Sequence, residues 1–128
     1  MTKSEIEKVL PMFTGTSEYF LHKVIGSGSG LTLTDGANFV RINAKCHWLF
    51  DEIYFALLNI KGEDFLSLKM EVSQSKEAVI KIDDGNGNIL FRKTIEYTDF
   101  PLDEIDFYII DERRFGRSSI VVMLPNEY

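Results

Sequence analysis

Cysteine, histidine and proline are scarce in this chain, which has one Cys, two His and three Pro among 128 residues. A lone Cys46 closes no internal disulfide, and that excludes the stapled scaffolds of small secreted domains. A zinc site would need both histidines, the cysteine and a carboxylate, and no ligand-spacing motif gathers them. No metal and no cofactor are therefore expected. Long apolar runs are missing as well; none approaches the roughly 18 residues that mark a membrane span. The opening MTKSEIEKVLPMF, with four charges in its first ten residues, does not have the layout of a secretory signal. A reducing cytoplasm is the expected compartment. Positive charge is in deficit, 14 Lys and Arg against 20 Asp and Glu for a net charge of -6. Nucleic-acid affinity comes mainly from Lys and Arg displacing counterions, so the balance argues against a nucleic-acid partner.

What is abundant is core-forming material. Ten Phe, five Tyr and one Trp within a 45% hydrophobic composition suffice for one compact domain over residues 1–128. Ser4 before Ile6, Val9 and Leu10 reads as a cap on a short helix that Pro11 ends. Glu18 to Val24 reads as a strand, Gly26 to Gly30 as a flexible loop or lid, and Leu31 to Thr34 as a brief extended stretch. Thr34 or Asp35 then caps a helical region from Gly36 to Ile60, where Cys46, Leu49, Phe50, Ile53 and Leu57 lie on one helical stripe. Two consecutive helices are expected there.

Beyond Gly62 the period changes from helical to two. Leu66, Leu68, Met70 and Val72 alternate with polar residues as a half-buried strand. Ala78 to Ile82 and Ile89 to Tyr97 flank Asp83-Asp84-Gly85-Asn86-Gly87-Asn88, whose residue types suit a hairpin turn. Phe107 to Ile110 and Ile120 to Leu124 read as a second hairpin closed by Arg113 to Ser119. The expected class is α+β, with helices packed on one face of a mainly antiparallel sheet of about five strands.

Several clusters resemble chemistry and fail on their details. The acidic turn does not fit a calcium loop, because either glycine placed at the sixth position puts an isoleucine, Ile80 or Ile82, at the first. The Gly-Ser stretch has neither the Gly-Lys-Ser/Thr ending of a phosphate loop nor the spacing of a nucleophile elbow. Arg113, Arg114 and Arg117 beside Asp111 and Glu112 read as a solvated turn with local ion pairs. Cys46 and His47 are neighbours and point apart on a helix, so they form no nucleophile-base pair, and Cys46 reads as a buried core thiol. His47 and Asp51, at i and i+4, share a helix face, with Trp48 and Tyr54 beside them.

Four phrases are more distinctive: Tyr19-Phe20-Leu21-His22, Thr34-Asp35-Gly36, His47-Trp48-Leu49-Phe50-Asp51, and Tyr97-Thr98-Asp99-Phe100-Pro101-Leu102 with the ending Leu124-Pro125-Asn126-Glu127-Tyr128. Over nearly the whole chain they resemble an uncharacterised family of small bacterial, phage and plasmid proteins, a domain of unknown function. The resemblance implies a mobile-element setting and no particular activity. Asn126 and the Gly26 to Gly30 loop depart from the family's usual pattern.

These readings point to a non-enzymatic binding or protein-interaction domain, an accessory protein of a mobile element with a protein partner. A homodimer formed through a sheet edge is a further form of partnership. The candidate binding residues are Thr34, Asp35, His47, Trp48, Asp51, Thr98, Asp99, Glu127 and Tyr128, an acidic, aromatic-rimmed set if the turns converge at one end of the sheet. The alternative is a small hydrolase or transferase with His47 as base, Asp51 as its orienter and Asp35 or Asp99 as second carboxylate.

Overall fold

The computed structural model describes residues 1–113, 116 and 119–128. Helix α1 (Lys3–Val9) runs into a short 3-10 turn, Leu10–Met12, and strands β1 (Phe20–Val24) and β2 (Ser29–Leu33) follow. Helices α2 (Asp35–Asn43) and α3 (His47–Leu57) lead to β3 (Phe65–Val72), β4 (Ala78–Asp83), β5 (Ile89–Ile95), β6 (Glu104–Asp111) and β7 (Ile120–Met123), and a 3-10 turn spans Pro125–Glu127. The strands form one seven-stranded sheet in the order β1-β2-β7-β6-β3-β4-β5. Every neighbouring pair is antiparallel except β2 with β7.

The α+β class stands, and the strand count is corrected from about five to seven. The difference lies in the N-terminal hairpin. Residues 20–24 and 29–33 are short and poor in β-branched side chains, so each looks weak alone; together they pair over five positions, from Phe20 with Leu33 to Val24 with Ser29. The Gly-Ser stretch is correspondingly no lid. It is the hairpin's turn, with Gly26 and Gly28 at φ +85° and +70°, where a side chain is strained. Ser27 Oγ donates to the Val24 carbonyl at 2.7 Å and pins it. The expected second hairpin is present as β6 and β7, but Arg114, Phe115, Arg117 and Ser118, on which its turn and most of the basic cluster rest, lie outside the described residues.

Alternation assigns the two faces of the sheet. His22, Val24, Leu31, Leu33, Leu66, Leu68, Met70, Ile80, Ile82, Phe107, Ile109 and Val122 are all buried on one face. They pack with Ala37 and Val40 of α2 and Leu49, Phe50, Ile53 and Leu57 of α3 in one core. Phe50 meets Phe107 edge-on at 5.4 Å between ring centres, which ties α3 to the centre of the sheet. Helix boundaries shift slightly from expectation. Thr2 rather than Ser4 caps α1, through a reciprocal capping box with Glu5, and Cys46 precedes α3 instead of lying on its stripe.

Candidate functional site

Two of the distinctive phrases form a single structure. Thr34 caps α2 by accepting from the Ala37 amide at 3.3 Å. Its hydroxyl donates to Glu127 Oε1 at 2.6 Å, and Glu127 Oε2 accepts from the Gly36 amide at 3.0 Å. Oε1 also accepts from the Leu124 amide at 2.9 Å, so the 3-10 turn is closed by the same carboxylate that caps the helix. Gly36 is required by this arrangement, because a Cβ there would stand 2.5 Å from both Glu127 Oε1 and Leu124 Cδ1. Asp35 turns the other way and accepts from the Ser17 amide at 2.8 Å, while its own amide donates to Thr16 Oγ1 at 2.9 Å. Thr34 and Glu127 thus spend their side-chain oxygens on the chain itself, and Asp35 spends one of its two.

The second cluster ties β1, α2 and α3 together. His22, buried on the core side of β1, meets Asp51 Oδ1 of α3 at 2.7 Å through Nε2 and Arg41 Nη1 of α2 at 3.0 Å through Nδ1. A guanidinium has donors and no acceptor, so Nδ1 accepts from Arg41 and Nε2-H donates to Asp51. Arg41 Nη2 donates to Asn38 Oδ1 at 2.7 Å, and its Nε is buried without a partner among the described residues. Burial lowers the Arg41 pKa from its ordinary value. The expected His47–Asp51 pair does not form. Asp51 is taken by His22, and the exposed His47 ring lies 6.2 Å from that of His22, centre to centre.

The remaining candidates scatter. Trp48 is half-buried against the core. Thr98 is buried in a turn, its hydroxyl accepting from the Phe100 amide at 3.1 Å and its amide donating to the Lys76 carbonyl at 2.9 Å; Asp99 is exposed. This turn packs against the β3–β4 connection, with β7, β6 and β3 between β4 and the Thr34 cap on β2. Thr34 and Glu127 converge at the α2 cap, Asp35 beside them faces Thr16 and Ser17, and Asp51, Thr98 and Asp99 do not join them. Cys46 is fully buried with Sγ 3.5 Å from the Val40 carbonyl, and burial pushes its thiol up to about 12. Among the described residues no group of His, Cys, Asp and Glu is placed to hold a metal ion, and no helix is long and apolar enough to cross a membrane.

Tyr128 belongs to a different surface. Its ring packs edge-on to Phe65 at 5.4 Å and Tyr108 at 5.6 Å, both on the face of the sheet away from α2 and α3. On that face Leu21 pairs with Thr32, Thr32 with Val121, Val121 with Ile110 and Ile110 with Phe65. These residues make a row across five strands in which only Thr32 is polar, and none of its members is buried. The next row adds Met123 and Tyr108. Local spacing gives no sign of this feature, because it exists only once the register of five strands is known.

The family model described as "Family of unknown function (DUF6876)" matches residues 4–128. The chain belongs to that family. No curated protein matches. Among solved structures, a protein of unknown function from Enterococcus faecalis is similar, with a TM-score of 0.51 and 16% identity over 87% of this chain and 98% of that one. At that identity the likeness concerns the fold alone.

For this DUF6876 member, geometry sorts the polar residues by what they still offer a ligand. Both His22 ring nitrogens are engaged, so neither can take a substrate proton as the ring stands. Asp111 is paired with Arg113, whose Nη2 lies 2.7 Å from Asp111 Oδ2 and also donates to the Leu57 carbonyl at 2.9 Å. The carboxylate raises the guanidinium pKa above its ordinary value, and the guanidinium closes the C-terminal end of α3. These clusters join elements of the fold. On the face of the sheet away from α2 and α3, Lys69 of β3 pairs with Glu104 and Asp106 of β6, and Tyr128 packs on Phe65 and Tyr108.

Proposed function

We propose that this protein is a non-enzymatic protein-interaction domain whose contact surface is the uncovered face of its sheet. The observation that carries the reading is the apolar row Leu21-Thr32-Val121-Ile110-Phe65, topped by the 74% exposed Tyr128. An exposed sheet face ordinarily alternates to polar residues, and a contiguous apolar patch on a folded domain marks an interaction site. The internal use of Thr34, Asp35, Glu127, His22 and Asp51 supports the same reading, since it leaves the hydrolase or transferase alternative without an assembled acid-base set. The acidic balance favours a protein over a nucleic acid as partner. The resemblance to phage and plasmid proteins supports an accessory role in a mobile element, and the single buried thiol suits a reducing cytoplasm.

Photo-crosslinking in cells tests it. A benzoylphenylalanine at Leu21 or Tyr128, both exposed on this face, is expected to capture a protein; one at Phe55, which is 49% exposed on α3, is not. Capture from position 55 with none from 21 or 128 would contradict the proposal.

A further inference from the structure

An asparagine followed by glycine carries its own chemistry. The amide nitrogen after the asparagine attacks the side-chain carbonyl carbon wherever the two can meet, and glycine has no side chain to block the approach. The chain holds three places where an Asp or Asn precedes a glycine: Asp35-Gly36, Asp84-Gly85 and Asn86-Gly87. Their surroundings differ, and we infer that Asn86 is a site of spontaneous covalent modification, a deamidation that the fold permits there while it protects the other two positions. The inference is independent of the interaction-face reading above.

Reaction at Asp35 is blocked twice. Its carboxylate accepts from the Ser17 amide at 2.8 Å, and the Gly36 amide, which would have to attack, donates to Glu127 Oε2 at 3.0 Å in the first turn of α2. Asp84 is clamped as well. Its Oδ1 accepts from the Asn86 and Asn88 amides at 2.9 and 3.2 Å, its Oδ2 accepts from the Asn88 side-chain nitrogen at 2.9 Å, and the Gly85 amide donates to Asp83 Oδ1 at 2.7 Å. The Asn88 side chain, and the backbone amides after it, hold the Asp84 carboxyl below its ordinary range, in the ionised form that resists nucleophilic attack. The same clamp passes over the next pair. Among the described residues neither the Asn86 side chain nor the Gly87 amide has a hydrogen-bond partner, and both residues are exposed. Gly87 stands at φ +88° with open space where a Cβ would be, so the backbone there has room to turn. No other asparagine precedes a glycine. After Asn43, Asn59 and Asn126 the following amides are also engaged, donating to the Val40, Leu57 and Leu124 carbonyls.

The step balances with water as its only co-reactant. The Gly87 nitrogen bonds to Asn86 Cγ, the bond from Cγ to the side-chain nitrogen breaks, and that nitrogen leaves as ammonia with the former Gly87 amide proton. One water then opens the five-membered imide. Opening at the side-chain carbonyl leaves an aspartate; opening at the main-chain carbonyl leaves an isoaspartate, whose backbone runs through the former side chain and is one methylene longer. Either product adds a carboxylate to a chain of net charge -6, beside Asp83 and Asp84. The change falls in the turn that closes the β4–β5 hairpin, where the Asp84 amide donates to the Asn88 carbonyl at 3.2 Å. Modified turns accumulate with the age of the molecule.

Timed incubation of the purified full chain in heavy-oxygen water at physiological pH and temperature, then digestion in ordinary water and fragment mass spectrometry, tests the inference. Asn86 is expected to convert to aspartate and isoaspartate at least tenfold faster than any other asparagine, with one heavy oxygen taken up in each product. On anion exchange the intact protein is expected to gain a later-eluting species at the same rate. Asn86→Gln, an exposed change that leaves the core intact, is expected to lose that species, because the longer side chain would have to close a six-membered ring. Asp84 is expected to isomerise at least tenfold more slowly in the native protein than in the urea-unfolded chain. Conversion of Asn86 no faster than that of Asn59 or Asn126, an acidic species that survives Asn86→Gln, or an Asp84 that behaves alike folded and unfolded overturns the inference.

Discussion

Glu127 shows how one side chain can hold distant parts of the chain. It takes bonds from Thr34, Gly36 and Leu124, and Gly36 leaves no room for a Cβ beside it. Glu127→Ala strands three donors and is expected to cost about 2–3 kcal/mol in urea unfolding. Gly36→Ala, which overpacks the same spot, is expected to cost about 1–3 kcal/mol. The two are expected to be strongly non-additive, because removing the Glu127 side chain makes space for the new methyl. The sequence shows both phrases but not that they touch, since some 90 residues separate them. Cys46 was more legible. Burial there raises the thiol from 9.0 to about 12, so above pH 9 the unfolded chain loses a proton that the folded chain keeps. Stability present below pH 9 is therefore lost as pH rises toward 12, by up to about 1.4 kcal/mol per pH unit. Melting curves of wild type and Cys46→Ala between these limits are expected to diverge with that sign, and native Cys46 is expected to resist thiol reagents until the chain unfolds.

At the level of elements, local sequence signals suffice where local physics decides. The Asp83 to Asn88 turn, the α2 cap at Thr34 and the period-two pattern of β3 all form as their spacing implies. The i, i+4 pairing of His47 with Asp51 failed because a partner from another element won. His22 reaches Asp51 from β1, and Arg41 reaches His22 from α2. Periodicity along one helix carries no information about a strand 29 residues upstream. The cluster is a three-element joint, so His22→Ala leaves Arg41 and Asp51 without their shared partner. It is expected to cost about 2–4 kcal/mol by chemical denaturation. A double-mutant cycle with Arg41→Ala is expected to show positive coupling, and additivity would show that the two sites act separately.

Across the whole molecule, the sheet is an N-terminal hairpin and a β3–β5 meander joined by the β6–β7 hairpin slotted between them. That insertion makes β2 and β7 the parallel pair and aligns Leu21, Thr32, Val121, Ile110 and Phe65 in one row. The two weak N-terminal strands supply one end of this row, which is why a five-strand reading could not contain it. The candidate residues chosen for their chemistry mostly build the fold; of them, Tyr128 alone lies within the uncovered surface to which function is assigned. Hydroxyl-radical footprinting in cells, compared with dilute purified protein, tests that assignment most directly. Tyr128 and Tyr97 are 74% and 71% exposed and serve as a matched pair, one on the uncovered face and one at the end of β5. Tyr128 and Met123 are expected to be protected in cells while Tyr97 and Met12 react as they do in dilute solution; equal labelling of Tyr128 and Tyr97 under both conditions would rule the assignment out.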